Sequence, residues 1–298
     1  MQLNQAFFAA SLIVASLMLG GCHNDELSAG GEPTGPVAVG DTVAITSTSR
    51  VISFNRVPGP NLSSDLSIKG LKNGESLLGI DTRPNDQLIY TVSNQANIYT
   101  LAPSTGQLSF KAALSAGAAT TATCSGGAPG DYTGLQGTEF ALDFNPAADR
   151  MRLVSDTGQD LRINVDTGAV TVDCPITFAS GSGTPKPTSA AYNNSVPMAT
   201  STDLFYIDTN TDTLYAIDKT DSKNANNGVL TPVGALGVDA GDINGFDIEG
   251  LDKGYAVLTV TGSSGTRTGF YSINISTGAA TALALFAQDY TLRGLALR

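Results

Sequence analysis

Three aspartates occupy the same place in three copies of one short repeat, and no other set of residues in the chain has a spacing so suited to chemistry. Asp81 lies in Gly79-Ile80-Asp81-Thr82-Arg83-Pro84, Asp143 in Ala141-Leu142-Asp143-Phe144-Asn145-Pro146, and Asp247 in Phe246-Asp247-Ile248-Glu249-Gly250. Two further copies carry Ala191 and Ala296 at that position, and two residues on stand Arg83, Asn145, Asn193, Glu249 and Arg298. Residues two apart on a strand share a face. If the five segments are strands around one axis, these side chains gather near one end of a channel, as a polar pocket for a cation or a small ligand. A carboxylate pair is also the apparatus of glycan cleavage, at about 5–5.5 Å for retention or about 6.5–9.5 Å for inversion. Asp81, Asp143, Asp247 and Glu249 are the candidates for it. The structural alternative is that each aspartate accepts hydrogen bonds from the backbone of a neighbouring repeat and stabilises the assembly.

Other chemistries are excluded by residue type. The single histidine, His23, precedes any segment that reads as a strand, which removes Ser-His-Asp catalysis and histidine metal sites from the domain. No Cys-His pair and no glycine-rich phosphate loop with its lysine is present. Asp208-Thr209-Asn210-Thr211-Asp212 places oxygen ligands at alternate positions, as the first half of a calcium loop does. Thr213 stands where that loop needs glycine, and Leu214-Tyr215 resumes a strand, so Asp208, Asn210 and Asp212 fit an Asx-type turn as well as an ion. No cofactor other than calcium is suggested.

The segments downstream of each aspartate must position it. In the second copy Gln87–Ser93 and Ala96–Leu101 alternate in polarity and end at Ser104-Thr105-Gly106; the third runs Arg150–Val154, Gln159–Val165, Asp166-Thr167-Gly168. The fourth uses Asp203–Ile207 and Thr213–Asp218, and the fifth Tyr255–Val260, Gly269–Asn274 and Ser276-Thr277-Gly278. Alternation with β-branched and aromatic residues marks strands, and the glycine supplies the positive φ of a tight turn. A fourth strand leaves each turn, as in Ala169–Val172. A period of about 50–60 residues built from four strands is a propeller blade. Residues 43–70 hold three strands and a Pro58-Gly59 turn but lack the first strand, whereas Leu292–Arg298 is a first strand with nothing after it. Joining the two ends predicts an all-β, five-bladed propeller over residues 43–298, closed by its C-terminal strand.

The N-terminus reads as an export signal. Ala6–Leu19 is apolar and too short to span a bilayer comfortably. It runs into Leu19-Gly20-Gly21-Cys22, which resembles the bacterial lipobox, although Met1–Gln5 has no Lys or Arg. Residues 1–21 are expected to be a lipoprotein signal peptide with Cys22 as the lipid acceptor, and residues 22–42, polar and rich in Gly and Pro, a flexible tether. The alternative is an ordinary cleaved signal with an incidental cysteine. His23 is not the aspartate associated with inner-membrane retention, which favours the outer membrane. In an oxidising compartment Cys124 and Cys174 are expected to pair, constraining the unfolded chain by about 4 kcal/mol on an entropic model; two unpaired thiols are the alternative. A net charge of −11 argues against nucleic acid. The partners left are a small ligand, a glycan or an envelope protein, met by a membrane-attached protein.

Across most of residues 40–298 the chain resembles an uncharacterised bacterial family catalogued as domain of unknown function 4394. The resemblance is carried by LLGIDTRPNDQLIYTVSNQANIYTLAPSTG, FALDFNPAADRMRLVSDTGQDLRINVDTG, and LYAID with INGFDIEG. It implies a secreted propeller-like domain and brings no catalytic residues with it. Binding or scaffolding is thus the leading function and glycan cleavage the rival.

Overall fold

Residues 32–57, 61–125, 127–181, 183–217, 225–263, 265–286 and 290–298 are described by the computed structural model. The export segment, Cys22, His23 and the Pro58-Gly59 turn lie outside them. Within them the alternating segments form five sheets, antiparallel except for one short parallel edge strand in each of two. The first blade begins with β1 (Thr42–Thr46), β2 (Arg50–Asn55) and β3 (Asn61–Ser67). The second is β4 (Leu77–Thr82), β5 (Ile89–Ser93), β6 (Asn97–Ala102) and β7 (Gln107–Ala113). After the short β8 (Ser115–Ala116), the third is β9 (Phe140–Asn145), β10 (Arg150–Ser155), β11 (Asp160–Ile163) and β12 (Ala169–Val172). After β13 (Thr177–Phe178), the fourth is β14 (Pro187–Tyr192), β15 (Leu204–Asp208), β16 (Thr213–Ile217) and β17 (Val229–Ala235). The fifth is β18 (Ala240–Glu249), β19 (Lys253–Gly262), β20 (Gly265–Asn274) and β21 (Ala280–Leu285), with β22 (Leu292–Leu297) after it.

β22 returns to the first blade and pairs antiparallel with β1, Val43 opposite Ala296 and Ala44 opposite Leu295. The Arg298 amide extends the ladder to the Asp41 carbonyl at 2.9 Å. Inner strands β22, β4, β9, β14 and β18 then lie side by side in that order, with β18 against β22. This is the five-bladed, terminally closed ring that the split repeat predicts. No helix among the described residues is long and apolar enough to cross a membrane.

Burial follows position in the blade. β9 and β14 are buried almost throughout, having neighbours on both faces, while outer β7 and β21 are mostly exposed. The core lies between blades: Tyr90 meets Phe144 edge-on at 5.4 Å across the second interface, and Phe54 meets Phe270 at 5.1 Å across the closing one. Interfaces are also locked at the turns. Gly168 (φ +77°) ends its hairpin in a conformation L side chains avoid, and a Cβ there would sit 2.0 Å from the Ala113 carbonyl oxygen of the preceding blade. Its own carbonyl accepts the Ser115 N–H at 2.9 Å.

Two features depart from the sequence reading. The third and fourth blades have five strands rather than four, because β8 and β13 pair in parallel with β12 and β17. The chain leaving one blade thereby covers the outer edge of the next, which removes an exposed edge. Within the segment expected to be a tether, Val37 and Val39 pack against the apolar core, and the Val37 amide donates to the Ser104 carbonyl at 2.8 Å. Cys124 and Cys174 form a disulfide.

Deleting residues 291–298 removes the buried Leu292, Leu295 and Ala296 and exposes β1. Each lost leucine is worth about 2–5 kcal/mol, and about 2–4 °C accompanies each kcal/mol at this size. A drop in Tm of more than about 10 °C is expected in calorimetry; a truncated chain melting with the full-length one would show that β22 does not close the ring.

Candidate functional site

The equivalent phase of the inner strands places Asp81, Asp143 and Asp247 together on the axis. All three are buried, and one carboxylate oxygen from each lies within 4.8 Å of those of the other two. Two of them share one pattern of hydrogen bonds. Asp81 accepts from the amide of Thr82 at 2.6 Å and, across the interface, from that of Phe144 at 2.8 Å. Asp247 accepts from Ile248 at 2.6 Å and from Leu297 of the first blade at 2.8 Å. Each uses one oxygen for its own strand and the other for the next. Asp143 differs: it is 1% exposed and neither oxygen has a hydrogen-bond partner of normal geometry. The groups facing it are the Tyr192 amide of the next blade and the Asp81 carboxyl.

Burial, reinforced at Asp81 and Asp143 by neighbouring carboxylate charge, sets the protonation of the trio. Burial, then the charge of Asp247, holds the Asp81 carboxyl well above the usual aspartate range. Burial, then the charges of Asp81 and Asp247, does the same to Asp143. Burial raises Asp247 to about 6, opposed by the Leu297 and Ile248 amides and by the Arg56 charge. Arg152 sits opposite Asp143 in the β9–β10 ladder but does not neutralise it. Its guanidinium is spent on Asp160 at 2.6 Å and Asp173 at 2.8 Å, in a buried cluster that also ties in Tyr192 and Asn226.

The channel is open to Asp81 and Asp247 from one end. There the C-terminal ends of β4, β18 and β22 surround a cup of about 150 Å³, floored by Asp81 and Asp247 and rimmed by Arg56, Gln87, Glu249 and Arg298. Arg56 is paired with Glu249 at 3.3 Å, and Arg298 donates to the Gly40 carbonyl at 3.2 Å. At the other end the space shrinks to about 10 Å³ among Leu142, Ala190, Gly245 and Leu295, the threshold for a single water. The inner strands approach closely here, since a Cβ on Gly245 would meet the Gly294 carbonyl carbon at 2.4 Å. A larger cavity, about 500 Å³, lies between the third and fourth blades and is lined mainly by Tyr192, Leu204, Ile217, Ala225 and Arg162.

The other sequence candidates divide. Glu249 and Arg298 stand at the cup. Arg83 points instead into the second interface, where its guanidinium pairs with Asp149 at 2.6 Å and Asp166 at 2.9 Å. Asn145 accepts the Ala147 and Ala148 amides as a turn residue. Asn193 holds loops together, accepting from the Asp203 amide and donating to the Leu251 carbonyl. Asp208 accepts the Lys186 amide and, as in an Asx-type turn, that of Thr211, and Asp212 accepts that of Ala240. Arg56 was not legible as a cup residue, because the blade it belongs to is the split one and its repeat phase is broken. Arg152 gave no signal either: between Met151 and Leu153 it falls on the opposite face of the strand, which alternation alone reads as exposed.

A model of the family described as Domain of unknown function (DUF4394) matches residues 50–296. No curated protein matches the sequence. Among solved structures, a protein from Lactobacillus plantarum is similar at 14% identity and TM-score 0.40, over 86% of this chain and 70% of its own. A protein of unknown function from Bacteroides thetaiotaomicron is similar at 15% identity and TM-score 0.45, over 82% of this chain and 57% of its own.

A carboxyl whose pKa is raised by folding stabilises the protein below its unfolded value and loses that contribution as pH climbs through the folded value. In a chelating buffer Tm is therefore expected to fall as pH rises from the unfolded value of 3.8 through about 6 and beyond. Asp143→Asn keeps the shape, removes one charge and is expected to flatten that fall. At about pH 8 it should melt at or a few degrees above the wild type, at about 2–4 °C per kcal/mol of relieved repulsion. A variant melting well below the wild type in chelator would contradict the crowding.

Proposed function

As the chain belongs to the family described as Domain of unknown function (DUF4394), which names no activity, we propose from its own residues a lipid-anchored, non-enzymatic binding or scaffold propeller of the bacterial envelope. The lipobox ending at Cys22 and the aspartate-free position after it support attachment through lipid, with the outer membrane favoured. The Cys124–Cys174 disulfide is consistent with an oxidising compartment.

The observation that carries binding over catalysis is the state of the carboxylates. An acid–base pair needs carboxyl oxygens free to reach a scissile bond and a water. Both oxygens of Asp81 and of Asp247 are instead held by backbone amides, and Asp143 is closed off from solvent beside them. The cup above offers charged groups of both signs in a small volume, a surface for a small ligand or for a polar side chain of an envelope protein. Exposed Val196, Met198 and Leu251 add apolar area to the loops next to it.

Cells fed labelled palmitate are expected to label the wild-type protein and not Cys22→Ser; label retained in that variant would overturn the anchor. Envelope polysaccharides incubated with the purified protein are expected to release no reducing ends. Release that is lost in Asp81→Asn would restore the glycan-cleaving alternative.

A further inference from the structure

We propose that the ring axis holds one divalent cation of the calcium class, bound by Asp81, Asp143 and Asp247. Two independent observations meet there. The first is geometric: ligands on a shared calcium at about 2.3–2.6 Å cannot be more than about 5 Å apart, and the three carboxylate oxygens fall within 4.8 Å of one another. The second is the state of Asp143, nearly fully buried with both oxygens lacking a normal hydrogen-bond partner and one of them in this cluster. The Tyr192 amide and the Asp81 carboxyl face it without making a bond of normal geometry, and a buried carboxylate so poorly satisfied is costly unless a proton or a cation meets it.

The surroundings fit a hard cation. Every donor is a carboxylate oxygen, the chemistry of calcium, magnesium and manganese rather than of zinc or copper. The amide bonds to Asp81 and Asp247 use two of the roughly four lone-pair positions of each carboxylate. They leave positions for a metal while fixing both groups in orientation, as partners behind a metal ligand do. The cup, floored by Asp81 and Asp247, is the route of entry and the source of water for the remaining positions. Calcium, tolerant of irregular coordination, suits three carboxylates and several waters better than magnesium with its strict octahedron. Because the ligands come from the second, third and fifth blades, the ion would tie three blades together at the axis. This holds whether or not the chain is anchored by lipid.

The test is calcium titration of the purified full-length protein by isothermal calorimetry, with Tm read in chelator and in millimolar calcium at about pH 8. One ion per chain and a rise of about 5 °C or more are expected for the wild type. Asp143→Asn should lose both responses, and Asp208→Asn should keep them. Absence of heat and of a Tm shift in the wild type would overturn the site and leave shared protons as the resolution of the trio. A response that survives Asp143→Asn would also overturn it, placing the ion elsewhere. Should that variant not fold, anomalous scattering from manganese-soaked crystals decides: a peak between the three carboxylates supports the site, and a peak only elsewhere, or none, overturns it.

Discussion

Inner strands of the ring are held to their neighbours by aspartates that accept one amide from their own strand and one from the next. Asp81 does this toward Phe144 and Asp247 toward Leu297. The bond needs the neighbouring strand at one height only, and therefore sets the stagger of the blades around the axis. It also turns a carboxylate inward at each blade that carries one. A ring of five blades is narrow, so three such groups meet within 4.8 Å. The interaction that assembles the ring thus produces the electrostatic problem at its centre. Asp143, with no normal donor, is where the conflict remains unresolved by protein atoms.

Closure makes the axis possible. Asp247 finds its second donor only because β22 returns to the first blade and offers the Leu297 amide. The same return positions Arg298 on the rim of the cup. The opposite end of the channel is filled by Leu142 and Leu295 and narrowed by glycine contacts. Access to the carboxylates is therefore one-sided, and the groups a ligand meets first are Arg56, Glu249 and Arg298.

Much of this architecture is legible in the sequence. Period-two alternation with a turn glycine in each copy gives the blades, and the incomplete first and last copies give the closure. The shared phase of Asp81, Asp143 and Asp247 gives their common depth, because strand periodicity determines which way a side chain points. Partner choice is not legible. Arg83 has the same phase relation to its strand as Glu249, yet it turns to Asp149 and Asp166, whose positions depend on how two blades pack. Asn145, before Pro146-Ala147-Ala148, carries a local Asx-turn signal that outweighs its phase. Two-residue strands such as β8 are too short to show periodicity at all.

At the centre of the ring, Asp81, Asp143 and Asp247 act on one another. Carbon-13 NMR of aspartate carboxyl groups, assigned by substitution and followed against pH in chelator, measures this directly. Asp81 and Asp143 are predicted to titrate well above 3.8 and Asp247 near 6, and removing the Asp247 charge should shift both Asp81 and Asp143 downward. Three carboxyls that titrate independently near 3.8 would contradict it.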